Sequence, residues 1–390
     1  MNPSPTIITA ISCEKIFIPF VHQVEWSAGT RPGITRLVVK VETADGTVGI
    51  GETICLLEFI EPVLRKTVIP LAIGEDACDI ERLLRKTEGA GYYHHKRAIT
   101  MARAAVEMAC WDIVGKQAGM PLHRLWGGRF RERVPIIGYI QSADPAFAAR
   151  EAADYASRGF GTLKVKLGMG ETLDIELIRA VRDGAGPAMK IRGDANGAWT
   201  IGTAKRQLRK LESFDLEYVE QPLPLEDLAG HAHLRNNTCI PIALDEAAYT
   251  LQDVHSIIAA GAADVVVIDP HEAGGLIQAR KQAALCEAAG IPVTLHSGGE
   301  CGVSMAAYLH FAVSVPNLTL AIDTQYPNLS ADIIPERFDG SCGWMEPVTE
   351  KPGLGVELDD GLVSELRSDV IPNPYLDPRR PEWFGTKPAY

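Results

Sequence analysis

The chain has 390 residues and a formal net charge of −12, and 46% of its residues are hydrophobic. This length predicts two domains, and the apolar content permits a large core. The acidic balance argues against nucleic acid, whose phosphates require a basic surface. It does not argue against small anionic substrates, because a bound divalent cation can reverse the local field.

The eight cysteines are scattered and form no CxxC pair, which indicates reduced thiols and not a disulfide framework. The N-terminus lacks the charged region and the apolar run of an export signal. No run reaches about 18 apolar residues, the length that a membrane span requires. We therefore expect a cytoplasmic protein that does not span a membrane.

Residues 1–130 read as a mixed α+β domain. ITRLVVKVET, the turn ADG and TVGIGE predict an antiparallel hairpin, and helical stretches follow around residues 57–73 and 95–118. Strands followed by helices are typical of an α+β domain. We expect this part to form a capping domain.

From about residue 134, short apolar runs alternate with amphipathic helical stretches. The eight runs are VPIIGYI, GTLKVKL, MKIRGD, LEYVEQP, IPIALDE, DVVVID, IPVTLH and LTLAID. Continuous Val, Ile and Leu runs are expected where both faces of a parallel strand are buried. Residues 131–350 are therefore predicted to form an α/β fold, a (β/α) TIM-type barrel. Residues 351–390, rich in Pro and Gly, are expected to pack on the capping domain.

Seven successive predicted strands end in an ionisable residue, at the face where barrel active sites lie. These residues are Lys164 with Lys166, Asp194 followed by Asn196, Glu220, Asp245 with Glu246, Asp269, His296 and Asp323. One such Asp alone is more often a helix cap, and one such His is more often a satisfied core residue. Capping does not explain two lysines that point into a barrel opposite a histidine, with three carboxylates between them.

The three carboxylates of Asp194, Glu220 and Asp245 predict a Mg²⁺ site, because hard oxygen ligands from adjacent strands suit this cation. A metal-bound carboxylate substrate would lose its weakly acidic α-proton to one side of the site. Lys166 is a candidate base if nearby cations lower its pKa. Asp269 is a candidate for orienting His296 through its second ring nitrogen.

Together these motifs resemble the enolase superfamily, which pairs a Lys or His base with Mg²⁺. The resemblance covers nearly the whole chain and includes KVK, GDANGAW, YVEQP and IALDE. It implies a modified barrel with an N-terminal capping domain, a small carboxylate substrate that also contacts Asn196, and a homo-oligomer. It leaves the third metal ligand between Asp245, which we favour, and Glu246.

Asp269 and His296 resemble the His–Asp dyad of the mandelate racemase and glucarate dehydratase branches. IDPH, LAIDT and EKPGLGVELD resemble glucarate dehydratase in particular, which would bring Asp323 into the site. Muconate-cycloisomerase-type relatives would instead carry a lysine at the end of strand six. One motif departs from this resemblance. The chain reads HSGGE where glucarate dehydratases carry a sequence similar to HSNNH, so Gly298 stands in place of an asparagine.

The expected activity is Mg²⁺-dependent dehydration of an acid sugar to a 2-keto-3-deoxy acid. Lys164 would neutralise the substrate carboxylate, and His296 would protonate the leaving hydroxyl. A racemase or epimerase that uses Lys166 and His296 on opposite faces is the alternative, and a non-catalytic barrel is the alternative of another class.

Two loops of the capping domain, residues 22–36 and 91–98, are expected to cover the barrel mouth and set specificity. Substrate-contacting candidates from these loops and from strand one are His22, Trp26, Arg31, Tyr93, His94, Lys96, Tyr139 and Gln141.

Overall fold

The structure is a computed structural model that describes residues 4–93, 96–347, 350–369, 371–372 and 387–390. None of the helices within those ranges combines the length and the apolar character that crossing a membrane would require.

The N-terminal domain is a three-stranded antiparallel sheet covered by helices. Its elements are β1 (Ile8–Trp26), β2 (Gly29–Thr43), β3 (Val48–Ile54), α1 (Ile60–Val63), a π-helical turn (Leu64–Val68), α2 (Ile69–Ala72), α3 (Ile80–Gly91), α4 (Lys96–Ala118) and α5 (Leu122–Leu125). The long helix α4 lies directly on β3. A Cβ atom at Gly49 or Gly51 would stand 2.2 or 1.9 Å from a carbonyl oxygen of α4, so only glycine permits this approach.

The second domain is a parallel sheet whose strands follow one another in chain order. Its strands are β5 (Gly138–Tyr139), β6 (Thr162–Lys166), β7 (Lys190–Asp194), β8 (Tyr218–Glu220), β9 (Ile242–Leu244), β10 (Val265–Ile268) and β11 (Val293–Leu295). The short strand β4 (Val134–Pro135) lies outside this sheet, in a two-stranded antiparallel pair. Its helices are α6 (Pro145–Ser157), α7 (Glu171–Ala185), α8 (Ile201–Leu211), α9 (Leu228–Arg235), α10 (Leu251–Ala260), α11 (Pro270–Ala273), α12 (Leu276–Ala288) and α13 (Gly302–Ser314). Short 3₁₀ turns cover Glu212–Phe214 and Tyr326–Asn328.

Residues 318–323 close this sheet into a barrel. Leu318 forms a parallel bridge to Val293 of β11, and Ile322 forms one to Ile136 beside β5. The backbone amide of Asp323 also donates to Leu295 O at 3.1 Å. The eighth predicted strand is therefore present as bridges and not as a full strand, and the predicted capped (β/α) barrel is confirmed.

A buried ion pair of the capping domain reaches into the barrel. Arg36 of β2 pairs with Glu52 of β3 at 2.5 Å, and both side chains are fully buried. The guanidinium also hydrogen-bonds His271 Nε2 at 2.7 Å, and Glu52 accepts from the backbone amides of Cys301 and Ser304. These bonds hold the edge of the capping sheet over the ends of β10 and β11.

The C-terminal part contacts the capping domain through residues 350–369 and the barrel through residues 387–390. β12 (Trp344–Met345) pairs with β4, and α14 (Asp360–Glu365) lies within residues 350–369. In that segment Leu354 N donates to Asp112 Oδ1 at 2.9 Å, and Ser368 N donates to Lys15 O at 3.0 Å, both in the capping domain. Residues 387–390 instead bind loops of the barrel.

Candidate active site

Two lysines of β6 point into the barrel and are almost fully buried. Lys164 Nζ donates to Glu220 Oε1 at 2.6 Å and to Asp323 Oδ2 at 2.5 Å, and lies 3.1 Å from Asp194 Oδ2. Lys166 Nζ donates to Asp194 Oδ2 at 2.5 Å. The expected inward orientation of both lysines is thus what the structure shows, because residues two apart in a strand share a face.

Asn196 follows β7 in a strained conformation, with φ of +44°. Its side-chain oxygen accepts from Lys166 Nζ at 2.9 Å, and its amide nitrogen donates to Glu246 Oε1 at 2.8 Å. Its backbone amide also donates to Asp194 Oδ1 at 3.0 Å. Asn196 therefore links Lys166, the candidate base, to Glu246 after β9.

The three predicted ligand carboxylates converge from β7, β8 and the end of β9. Burial and the charge of Asp194 raise the pKa of Glu220 well above its usual range, and burial and the charge of Glu246 do the same for Asp245. Burial also acts to raise the pKa of Asp194, but Lys164 and Lys166 outweigh it and hold that pKa low.

Two oxygens of this group fit a cation. Glu220 Oε2 and Asp245 Oδ1 are buried, and neither has a hydrogen-bond partner among the residues that the structure describes. Buried, unpartnered carboxylate oxygens are costly without a counter-charge. Glu220, Asp245 and His296 each bring a ligand atom within 4.8 Å of the others. Glu246 also has an unpartnered buried oxygen, but its other oxygen is bound by Asn196.

His296 stands at the end of β11, on the far side of the carboxylates from the lysines. Its Nδ1 forms a hydrogen bond with Asp245 Oδ2 at 2.6 Å. Asp269 instead accepts from His271 N at 2.7 Å and from Tyr308 Oη at 2.9 Å. The structure therefore brings Asp269 and His296 together, within 4.8 Å, but gives the hydrogen bond of the histidine to Asp245 and not to the expected dyad partner. Both bonds of Asp269 use Oδ1, with which it caps the short helix α11, while its buried Oδ2 has no hydrogen-bond partner among the described residues.

Asp323 lies in the site, as expected, and is 1% exposed. One oxygen accepts from Lys164, and the other accepts from Arg192 Nη1 at 3.1 Å. Asp323 therefore holds Lys164 in place, and Arg192 compensates its charge.

A cavity lies between these groups and the capping domain. Lys166 and His296 both line it, from opposite sides of the carboxylate strands. The other lining residues are Phe20, Val24, Trp26, Arg31, Ile54, Leu56, Tyr139, Asn196, Glu246, Tyr249, Glu272, Ser297, Gly298 and Gln325. Its barrel side is polar, and its capping-domain side is largely apolar.

Arg31, Trp26 and Tyr139 lie where the sequence analysis expected them. The Arg31 guanidinium stacks 4.6 Å from the centre of the Trp26 ring, and Lys166 Nζ lies 5.8 Å from the centre of the Tyr139 ring. Arg31 Nε is buried and has no hydrogen-bond partner within the described part of the chain. This cation at the capping-domain side is available to an anionic or hydroxyl group of a ligand.

Other expected contacts are not found. His22 is exposed and lies outside the cavity, because the pairing of β1 with β2 shifts register between Pro19 and Val24 and displaces this stretch. Tyr93 is 85% exposed, and Lys96 is exposed as well. The second capping segment over the cavity is the end of β3, with Ile54 and Leu56, and none of the described residues between 91 and 98 lines the cavity. His94 lies outside the described residues.

Gln141 is buried at the end of the first barrel strand but is absent from the cavity lining that the described residues form. Its backbone amide donates to Glu151 Oε2 at 3.2 Å. The expectation that it contacts substrate therefore finds no support, since Tyr139 occupies the cavity wall on this strand.

The glycine at position 298 is explained by its close contact with a side chain of the capping domain. A Cβ atom at this position would lie 2.8 Å from Ile54 Cδ1. The space that an asparagine would need is filled by an apolar side chain of β3. The departure from the glucarate dehydratase motif therefore makes one wall of the cavity less polar.

Glu272 and Tyr249 line the cavity and were missed by the sequence analysis. Tyr249 Oη donates to Glu272 Oε1 at 2.9 Å, and Glu272 brings an oxygen within 4.8 Å of His296. Burial raises the pKa of Glu272 to about 8, and the charge of Asp269 acts in the same direction. The one available signal was the position of Glu272 three residues after a strand-end acid in IDPHEAGG.

Family models and relatives agree with this architecture. Residues 13–127 match the mandelate racemase / muconate lactonizing enzyme N-terminal domain, and residues 148–362 match the enolase C-terminal domain-like family. An N-succinyl-L-Arg/Lys racemase of Bacillus cereus is 31% identical, over 92% of this chain and 97% of its own. Its crystal structure superposes with a TM-score of 0.87 at 30% identity, covering 92% of this chain and 98% of the racemase.

A probable glucarate dehydratase of Streptomyces coelicolor is also 31% identical, over 90% of this chain and 89% of its own. A solved enolase of Thermobispora bispora, complexed with magnesium and formate, is 29% identical with a TM-score of 0.84, and covers 93% of this chain and 92% of its own. Relatives thus include both racemases and dehydratases. The fold, the motifs and these matches show that the chain belongs to the mandelate racemase / muconate lactonizing enzyme family of the enolase superfamily.

Proposed function

We propose that this chain is a Mg²⁺-dependent dehydratase of a hydroxylated carboxylic acid of the acid-sugar class. The observation that carries the proposal is the placement of Lys166 and His296 in one cavity, with the carboxylates of Glu220 and Asp245 beside His296. A base on one side and an acid on the other are what removal of an α-proton and a β-hydroxyl require.

Asp194, Glu220 and Asp245 would hold the cation, and the buried oxygens of Glu220 and Asp245 that have no hydrogen-bond partner among the described residues support this assignment. When bound, Mg²⁺ supplies positive charge that stabilises an enediolate and offsets the Asp194 charge that raises the pKa of Lys166. Lys164, bound to three carboxylates, would orient the substrate carboxylate against the same edge of the barrel.

In the proposed reaction Lys166, in its neutral form, takes the α-proton, and the C–H electron pair passes into the enediolate. The Cβ–O bond then breaks, and the hydroxyl leaves as water with a proton from the opposite wall of the cavity. The enol that remains becomes a 2-keto-3-deoxy acid by tautomerisation.

Glu272 favours elimination over racemisation. Exchange of one α-proton needs two proton-carrying groups, and Lys166 and His296 suffice for it. The cavity holds a third such group beside His296, and burial raises its pKa to about 8, in the direction that favours the protonated carboxyl. A neutral carboxylic acid can donate a proton to a leaving hydroxyl.

Racemisation or epimerisation is the second candidate, since Lys166 and His296 face one cavity from opposite sides and a 31% identical relative is an N-succinyl-L-Arg/Lys racemase. Glucarate itself is not proposed, because Ile54 fills the space beside Gly298. The aromatic capping-domain wall and Arg31 favour an acid with a less polar distal end or a second anionic group.

The test is a panel of mono- and diacid sugars, 2-hydroxy acids and N-acylated amino acids, incubated with Mg²⁺ in D₂O. Semicarbazide detects 2-keto acids, and NMR detects deuterium at Cα. We expect a 2-keto acid from at least one acid sugar. Deuterium incorporation without loss of water would replace the dehydratase by the racemase, and absence of both from every acid would refute proton abstraction.

A further inference from the structure

Residues 387–390 bind the two barrel loops that follow β6 and β7. Thr200 N donates to Tyr390 O at 2.7 Å, and Ala389 N donates to Ala198 O at 2.7 Å. The Tyr390 ring also packs against the main hydrophobic core. This segment is therefore seated beside the strand ends that carry Lys166 and Asp194.

The Tyr390 hydroxyl completes a hydrogen-bond network next to Lys166. It donates to Asp174 Oδ2 at 2.6 Å and accepts from Gly170 N at 2.9 Å. Asp174 is fully buried and also accepts from Gly168 N at 3.1 Å. The network therefore fixes residues 168–170, which begin two positions after the base candidate.

The same loop meets the capping domain without spare space. Gly168 has φ of +80°, and a Cβ atom there would lie 2.5 Å from Ala198 Cβ and 2.9 Å from Ser27 Cβ. Lys387 Nζ donates to the hydroxyl of that same Ser27 at 2.7 Å. Residues 387–390 thus bind three segments that meet here. They are the loop after β6, the loop after β7, and the β1–β2 hairpin whose turn follows Trp26, called the capping hairpin below.

Lys387 also lies in the electric field of the site. The residue as a whole is exposed, but the packing around its ammonium lowers its pKa to about 8, while Glu246 and Asp194 act to raise it and Lys166 acts to lower it. Its hydrogen bond to Ser27 places the ammonium at the turn next to Trp26, which lines the cavity.

We propose that residues 387–390 are part of the active site, with Tyr390 as a positioning residue for Lys166 and Lys387 as the residue that fastens the capping hairpin over the cavity. The effect on turnover rests on the proposed function, whereas the docking of the segment does not. Loss of the Tyr390 hydroxyl should act on the chemical step, and loss of the Lys387 charge should act on substrate binding.

Amide hydrogen exchange tests the docking without any substrate. We expect Tyr390→Phe to speed exchange at residues 168–170 by about tenfold, and Lys387→Met to do so at residues 27–29. The exposed residues Tyr92 and Lys205 provide matched controls, as Tyr92→Phe and Lys205→Met. Rapid exchange of residues 389–390 in the unaltered chain, with no change at 168–170 in Tyr390→Phe, would overturn the proposal.

Steady-state kinetics on the acid found in the panel tests the roles. We expect Tyr390→Phe to lower kcat about tenfold with little change in KM, and Lys387→Met to raise KM about fivefold with kcat retained. Lys387→Arg should restore KM. Unchanged kcat and KM in both variants would overturn the proposal even if the segment docks. Should no acid in the panel react, the proposed function fails, and the exchange result alone decides whether the segment belongs to the site.

Discussion

Lys164 contacts three carboxylates at once, those of Asp194, Glu220 and Asp323. An ammonium so placed is expensive to bury unless each partner is itself compensated. Arg192 compensates Asp323, and Lys166 compensates Asp194. Glu220 and Asp245 each keep one unpartnered oxygen among the described residues, so the local balance of charge favours a cation there.

Glu272 gives a prediction at the level of one side chain. Glu272→Gln keeps the shape and can still accept from Tyr249, but it cannot transfer a proton to a leaving hydroxyl. We expect elimination to slow by about 10²-fold, the usual contribution of a general acid, while deuterium exchange at Cα changes little. NMR in D₂O measures both rates in one sample.

The matched control is Glu287→Gln, at an exposed position on α12. Equal loss of exchange and elimination in Glu272→Gln would assign Glu272 to the support of His296 and not to the leaving group.

At the scale of elements, β3 shapes the cavity through Ile54, which fills the space beside Gly298. Gly298→Asn should cost about 1–3 kcal/mol in the free energy of unfolding, because the new side chain overpacks this contact. Adding Ile54→Ala should remove most of that extra cost, so the pair should be non-additive by roughly 1 kcal/mol. Urea unfolding of the two single variants and the double variant measures this coupling.

The control is Gly161→Asn, where a Cβ atom would meet nothing within 4 Å. Additive effects of Gly298→Asn and Ile54→Ala would contradict the packing explanation.

The barrel strands could be predicted because buried parallel strands appear in the sequence as continuous runs of Val, Ile and Leu. The runs GTLKVKL and MKIRGD alternate with amphipathic helices; the first contains Lys164 and Lys166, and the second ends in Asp194. The eighth strand was predicted by the same rule but forms only bridges, which reach Val293 and Ile136.

The remaining parts of the site depend on tertiary placement that no local pattern encodes. Tyr249 and Glu272 stand in a loop and on the four-residue helix α11. The register shift in β1 that moves His22 out of the cavity leaves no mark in the hydrophobic pattern. Residues 387–390 could not be placed from the sequence either, because half of their hydrogen bonds to the barrel use backbone atoms, which carry no sequence signal.

At the scale of the whole molecule, two domains enclose one site. The Arg36–Glu52 pair of the capping sheet forms hydrogen bonds with barrel residues. Glu107 of α4 accepts from the backbone amides of Leu276 and Ile277 at the start of α12. The cavity is bounded by both domains: the barrel contributes Lys166 and His296, and the capping domain contributes Trp26, Arg31 and Ile54.

This arrangement predicts stabilisation of the folded protein by Mg²⁺. Saturation at about 100 times Kd should add about 2.7 kcal/mol to the free energy of unfolding and raise Tm relative to EDTA. Glu220→Gln should abolish that rise, because it removes a charged ligand, while Glu226→Gln, in an exposed loop, should keep it. Calorimetry with and without Mg²⁺ checks both variants, and an equal rise in Glu220→Gln would place the cation elsewhere.

The central claim is that Lys166 and His296 move protons on opposite sides of one carboxylate substrate. Its most direct test is turnover of the acid found in the panel, in D₂O with Mg²⁺, by the unaltered chain, Lys166→Ala and His296→Asn. We predict that Lys166→Ala loses α-proton abstraction by at least about 10²-fold, and that His296→Asn, which removes the imidazole that shares the leaving-group side with Glu272, loses water elimination to a similar extent. Rates in Lys166→Ala equal to those of the unaltered chain, for both deuterium exchange and 2-keto acid formation, would contradict the claim.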